Sequence, residues 1–138
     1  MNIARIIYLK KIPDSRGNLT AIEQLDDVPF EIRRVYWIFD VPGGERRGGH
    51  AYRQGQELII ALSGSFDVTT DNGRESDTFS LNRSYYGLYI PAGTWREISN
   101  FSTNAIALIV SSTDYNEEDY IRDYNEFETY AEQKQQHG

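Results

Sequence analysis

Cysteine is absent from this chain of 138 residues, and histidine occurs only twice. Without a thiol there is no disulfide, no thiolate zinc site and no cysteine nucleophile, and cysteine usage says nothing about redox compartment. Long apolar runs are missing too. None approaches the ~20 residues a membrane helix requires, and the opening MNIARIIYLKKIP lacks the apolar core of a signal peptide. A soluble, cytoplasmic protein with no membrane partner is the expectation. No internal repeat or low-complexity tract stands out, and the length suits a single domain over residues 1–138.

A broad basic face is also lacking, which argues against a nucleic-acid partner. The formal charge is −7, but residues 1–113 hold twelve basic and thirteen acidic side chains, whereas residues 114–138 hold two and eight. The acidity therefore sits in the C-terminal segment. Within the body, Arg33, Arg34, Arg46, Arg47 and Arg53 crowd together against only Asp40 and Glu45. Such a patch suits one phosphate or pyrophosphate, which the planar guanidinium fork grips well. The plainer reading is a set of solvated or ion-paired arginines on a sheet edge.

What the sequence does contain is a succession of short segments rich in Ile, Val, Leu, Tyr and Phe. Strands are expected at 3–9, 19–25, 33–39, 48–53, 57–62, 65–70, 77–81, 88–90, 96–101 and 105–111. The turns SGS at 63–65, DNG at 71–73 and DSRGN near the start supply residues that tolerate positive φ in tight hairpins, so the sheets should be antiparallel. The fold class is all-β, a sandwich or barrel. The segment from residue 114 differs: Tyr120, Tyr124 and Phe127 recur at helical spacing among acids, which predicts one C-terminal α-helix over about 114–133. Asp114 with Glu117 could form its capping box, and its aromatic face should pack on the barrel. The last residues, KQQHG with His137, read as a frayed end.

The stretch RRGGHAYRQGQELIIALSG resembles the first motif of the cupins, double-stranded β-helix (jelly-roll) barrels, through Gly49, His50, Tyr52, Glu57 and Gly64. PAGTWREISN resembles the second, through Pro91, Gly93 and Asn100. The positions that ligate a metal in those motifs fall at His50, Tyr52, Glu57 and Arg96. A guanidinium stays protonated and has no lone pair to donate, so Arg96 puts positive charge where the metal's charge would be. No metal and no cofactor are expected. His, Tyr and Arg at a barrel mouth suit proton transfer beside an anion instead.

With KKIPDSRGNLTAIE, PFEIRRVYWIFDV, ERRGGHAY, GLYIPAGTWREISNFS and DYNEEDYIRDYNEF, nearly the whole chain resembles the cupin-fold sugar-nucleotide 3,4-ketoisomerases. That resemblance implies a metal-independent isomerase. It would convert dTDP-4-keto-6-deoxyglucose to the 3-keto isomer through an enediol, for 3-amino-3,6-dideoxy sugars, as a homodimer with exchanged N-terminal strands. It assigns His50 as the base at C3 and Tyr52 to a position where members usually carry a second histidine. Arg96 falls near the enediolate oxygen. Arg96 and Arg16 bear on the face of C4 that is protonated.

For the ligand, the resemblance sets Arg47 near the phosphates, and Arg34 with Tyr36 lies on a strand facing the same mouth. Glu57 either binds or orients within the site or is a strand-edge carboxylate. Trp95 is a substrate-binding candidate, because a thymine needs a flat neighbour, or else a core or rim aromatic. Two other functions remain open at this point. One is a 3,5-epimerase of the same nucleotide sugars, which uses a His and Tyr pair; the other is a non-catalytic nucleotide-sugar-binding cupin.

Overall fold

The computed structural model describes residues 3–137. Ten strands run β1 (Arg5–Tyr8), β2 (Arg34–Ile38), β3 (Arg47–Tyr52), β4 (Glu57–Ser63), β5 (Phe66–Asp71), β6 (Ser76–Leu81), β7 (Tyr86–Ile90), β8 (Trp95–Ser99), β9 (Ile106–Ser111) and β10 (Tyr120–Ile121), followed by helix α1 (Tyr124–His137). They form two antiparallel sheets in the orders β1-β7-β4-β9-β2 and β10-β3-β8-β5-β6. This is the expected jelly-roll barrel with its C-terminal helix.

Period-two alternation divides the barrel interior into two ends. Ile38, Ile59, Ala61, Ile98, Ala107 and Ile109 join Phe66, Val68 and Leu88 in an apolar core at one end. Two residues along the same strands, the inward positions are Tyr36, Glu57, Arg96 and Ser111; β4 and β9 set Glu57 opposite Ser111, and Arg96 reaches Glu57 and Tyr36 from the other sheet. The apolar end holds the sheets together, and the polar end is carried on those same strands.

Residues 19–25 do not form the expected strand. They make only the isolated bridges Ile12↔Leu19 and Gln24↔Val28, and Leu25 takes a φ of 63°. The physical reason is packing. Ile22, Val28, Phe30 and Ile32 lie over the outer face of β4 and β9, against Leu58, Ile60 and Val110. This cover explains why Leu58, Ile59 and Ile60, which alternate between faces, are all buried.

The helix expected over 114–133 is also corrected. Residues Glu117–Asp119 form a single 3-10 turn capped by Asn116, whose side chain accepts from the Glu118 amide. Tyr120–Ile121 then adds to the second sheet, opposite Tyr52 and Ala51. Only after Asp123 does α1 begin, with Asp123 Oδ2 accepting the Glu126 amide at 3.1 Å. Asp114 and Glu117 cap nothing: Asp114 pairs with Arg33, and Glu117 with Arg122. The aromatic face of α1 packs as expected, Phe127 and Tyr124 lying against Trp95. Lys134 to His137 continue the helix rather than fray, and Gly138 lies outside the described residues.

Candidate active site

The polar end of the barrel is shaped first by a glycine. The register of β3 against β8 shifts between Arg47 and His50, and Gly48 within that shift has a φ of +72°. A Cβ there would lie 2.0 Å from Arg96 Nη1, so only glycine lets the guanidinium pass. The Gly48 carbonyl then accepts from that Nη1 at 3.0 Å. Beyond the bulge, His50 is the cross-strand neighbour of Arg96.

From Arg96 a continuous polar chain crosses the interior. Arg96 Nε and Nη2 donate to Glu57 Oε1 at 2.9 and 2.8 Å, both side chains being buried. Tyr36 donates its hydroxyl proton to Glu57 Oε2 and accepts from Arg96 Nη2 at 3.1 Å. The Tyr36 and Tyr52 hydroxyls are 3.4 Å apart, and the Tyr52 hydroxyl donates to that of Tyr120 at 3.2 Å. His50 sits edge-on against Tyr52 and tilted against Tyr120, with ring centroids 4.8 and 4.9 Å away. Its Nε2 is buried without a hydrogen-bond partner.

Burial sets the protonation states. It presses the His50 pKa down, helped by the Arg96, Arg122 and Arg34 cations, from 6.5 to about 2, so the imidazole is neutral in ordinary buffers. Burial, reinforced by the Glu57 charge, raises the Tyr36 and Tyr52 pKa values well above the usual phenol range. Both phenols keep their protons. Burial disfavours the Arg96 charge, but Glu57 outweighs it and holds the guanidinium firmly protonated. Here is a neutral base beside protonated phenols, the pairing that a proton-transfer site needs.

The donor set does not suit a metal. Of the four positions, Arg96 fills one with a permanent cation, and Glu57 is occupied by Arg96 and Tyr36. His50 and a protonated Tyr52 alone make a poor ligand shell.

The expected site residues separate into two groups. His50, Tyr52, Tyr36, Glu57 and Arg96 come together, and Arg34 joins them at the rim, its guanidinium stacked on the rings of Tyr36 and Tyr115. Its Nε and Nη2 are buried without partners. Glu57 is fully buried beneath the cluster and pairs with Arg96 rather than facing a ligand or His50. Arg96 spends four hydrogen bonds on Glu57, Tyr36 and Gly48, so it sits behind the site as a holding group.

The others lie elsewhere. Trp95, one residue from Arg96 and hence on the opposite face of β8, packs beneath α1 with Phe127 and Ala131. Arg47 is exposed and lines a cleft with Trp37, Asp40 and Glu45. Arg16 is exposed in the N-terminal loop, its guanidinium held in two hydrogen bonds by Asp14. Two residues not anticipated take their place: Tyr120, and Arg122, whose guanidinium lies 4.1 Å from the Tyr120 ring centroid. Their only signal was the quoted DYNEEDYIRDYNEF, where a helical reading hid a short strand.

A jelly-roll barrel that gives its metal-ligand positions to a neutral histidine, phenols and a buried Arg–Glu pair is a cupin of the acid–base kind. Among families of that fold, the model FdtA, described as WxcM-like, C-terminal, matches residues 2–132, and the chain belongs to this family. It is similar to a TDP-4-oxo-6-deoxy-alpha-D-glucose-3,4-oxoisomerase of Aneurinibacillus thermoaerophilus, 40% identical over 126 residues and covering 91% of each chain. A 3,4-ketoisomerase from Helicobacter canadensis has a similar structure, with a TM-score of 0.90, 39% identity and coverage of 94% of this chain and 97% of its own. QdtA, a sugar 3,4-ketoisomerase from Thermoanaerobacterium thermosaccharolyticum in complex with TDP, gives a TM-score of 0.92 at 35% identity, covering 95% and 96%.

Proposed function

We propose that this protein is a sugar-nucleotide 3,4-ketoisomerase acting on TDP-4-keto-6-deoxyglucose, in the making of 3-amino-3,6-dideoxy sugars. The relatives' named activities support the reaction and the substrate. The observation that carries it on this chain is His50, neutral, with an unpartnered Nε2, between two phenols.

His50 Nε2 takes the proton from C3 as the C3–C4 double bond forms and the C4 carbonyl oxygen becomes the enediolate oxygen. A proton passes between the neighbouring O3 and O4, the C3 carbonyl forms, and C4 is protonated by the Tyr52 hydroxyl. Burial and the Glu57 charge raise the Tyr52 pKa, so the phenol carries its proton when the intermediate forms, and the basic enediolate carbon is what draws it off. Arg96 and Glu57 position Tyr36 and the floor of the site. Arg34, with two partnerless donors, grips the diphosphate, whose charge also eases protonation of His50 during turnover.

The working protein is a homodimer that exchanges N-terminal strands. Supporting this are exposed apolar side chains on the two edge strands of the first sheet: Tyr8, 77% exposed, on β1, and Val35 and Trp37 on β2, with Phe39 just beyond. The cytoplasm is its proposed compartment; no helix among the described residues is long and apolar enough to cross a membrane.

Proton NMR with TDP-4-keto-6-deoxyglucose in deuterated water tests the reading. A 3-keto product with exchange confined to C3 and C4 is expected, and the C4 coupling constants give its stereochemistry. Washout at C5, or an unchanged spectrum, would overturn it.

A further inference from the structure

The proton that reaches C4 has a path of its own. Tyr52 is linked through its hydroxyl to Tyr120, and Tyr120 is half-buried on β10, at the rim. A phenol that has given up its proton inside a closed barrel must be recharged before the next turnover. His50, the other proton carrier, packs against both rings and makes no hydrogen bond to either hydroxyl. The Tyr36 hydroxyl, on Tyr52's other side, is committed to Glu57 and lies farther away, at 3.4 Å. Tyr120, only partly buried, is therefore the end of the chain nearest solvent.

We propose that Tyr120 recharges Tyr52 from solvent, so that C4 is protonated along a tyrosine relay while His50 serves C3 alone. The proposal rests on the ketoisomerase reading above. His50 gains the C3 proton, and the Tyr52 O–H bond breaks as the C4–H bond forms. The Tyr52 hydroxyl donates to Tyr120 at rest, but once its proton has gone to C4 the phenolate oxygen accepts instead and takes the Tyr120 proton, and Tyr120 takes one from a rim water. The hydroxide so formed is neutralised by the proton that His50 releases. No oxidant or reductant enters.

The relay predicts how an enediol partitions when the outlet is cut. Tyr120→Phe removes one oxygen and leaves the backbone pairing of β10 with β3 in place. In deuterated water, C3 abstraction by His50 continues in the variant, but forward protonation at C4 slows and the intermediate returns to substrate. The expected result is that deuterium at C3 of recovered substrate, relative to product formed, rises by about tenfold, below the full effect of a positioned acid because water partly substitutes. KM should stay within about twofold, as for a residue acting on the step rather than on binding. Tyr52→Phe should move the same ratio further in the same direction, which covers the case of a poorly folded Tyr120 variant.

An unchanged ratio in a folded Tyr120→Phe variant, with kcat and exchange falling together or not at all, would overturn the relay, and an unchanged ratio in Tyr52→Phe as well would make His50 the carrier for both carbons. Failure of the ketoisomerase reading looks different, because wild-type protein would then give neither C3 exchange nor a 3-keto product.

Discussion

At the scale of single residues, the strongest constraint is the contact of Gly48 with Arg96. Gly48→Ala forces a Cβ into the guanidinium and an alanine into positive φ, so a loss of about 1–3 kcal/mol is expected from backbone strain alone, read by urea unfolding. The Arg96–Glu57 pair allows a sharper comparison. Removing one partner, as in Glu57→Leu, leaves a buried charge and should cost about 3–5 kcal/mol, whereas adding Arg96→Met should recover most of it. A double variant no more stable than the single one would show that the pair is not coupled.

His50 has its own signature. His50→Asn should abolish turnover with little loss of fold, and Tyr52→Phe should slow turnover. The folded pKa of His50 lies below its unfolded value, so between about 2 and 6.5 the unfolded chain binds the extra proton. The stability tied to the neutral imidazole is present above 6.5 and lost as the pH falls toward 2. Unfolding free energy should therefore decline less on acidification in His50→Asn than in wild type. Parallel slopes would remove His50 from the list of buried neutral groups. For the same reason, kcat/KM should show no acid limb from this residue between about pH 5 and 8.

At the scale of elements, the decisive piece is the segment between β9 and α1. Asp119, buried at the end of the 3-10 turn, accepts the Gln54 and Gly55 amides at 2.7 and 3.0 Å, and its carbonyl accepts the Arg53 amide at 2.8 Å. These bonds tie the turn to the β3–β4 loop and set Tyr120 opposite Tyr52. Asp119→Ala leaves two loop amides unpaired and should cost about 1–3 kcal/mol or more, with loss of activity through Tyr120. Asp123→Ala removes only the N-cap of α1 and should cost about 1 kcal/mol while sparing turnover. Equal effects on activity from the two would argue against β10 as the element that matters.

The helical spacing of Tyr120, Tyr124 and Phe127 was legible and half misleading. Tyr124 and Phe127 lie on α1, but Tyr120 is withdrawn into a strand by tertiary hydrogen bonds that no local pattern encodes. Residues 19–25 failed for a related reason. Only Ile22 of this segment packs on the outer face of β4 and β9, while Leu19 and Leu25 stay exposed, so the segment has neither a partner edge nor a buried face to make it a strand.

At the scale of the whole molecule, β1 and β2 are the edges of the first sheet, and their exposed Tyr8, Val35 and Trp37 need covering. Light scattering should give twice the chain mass. Trp37→Glu should shift the protein to monomer, with activity falling if the exchanged strand supports the site; a monomeric wild type would end the dimer proposal.

The sequence by itself determined the barrel, because short apolar strands punctuated by hairpin turns have no other way to bury their faces. Once His50, Glu57 and Arg96 share the inward period of β3, β4 and β8, the register leaves them no other place to meet. Only the tertiary structure decided what those residues do to one another. That Arg96 spends its donors on Glu57, that Trp95 faces α1, and that Tyr120 joins the phenol chain all depend on contacts between distant segments. In each case the free energy of satisfying a buried polar group or covering an apolar face outweighs the local preference of a few residues.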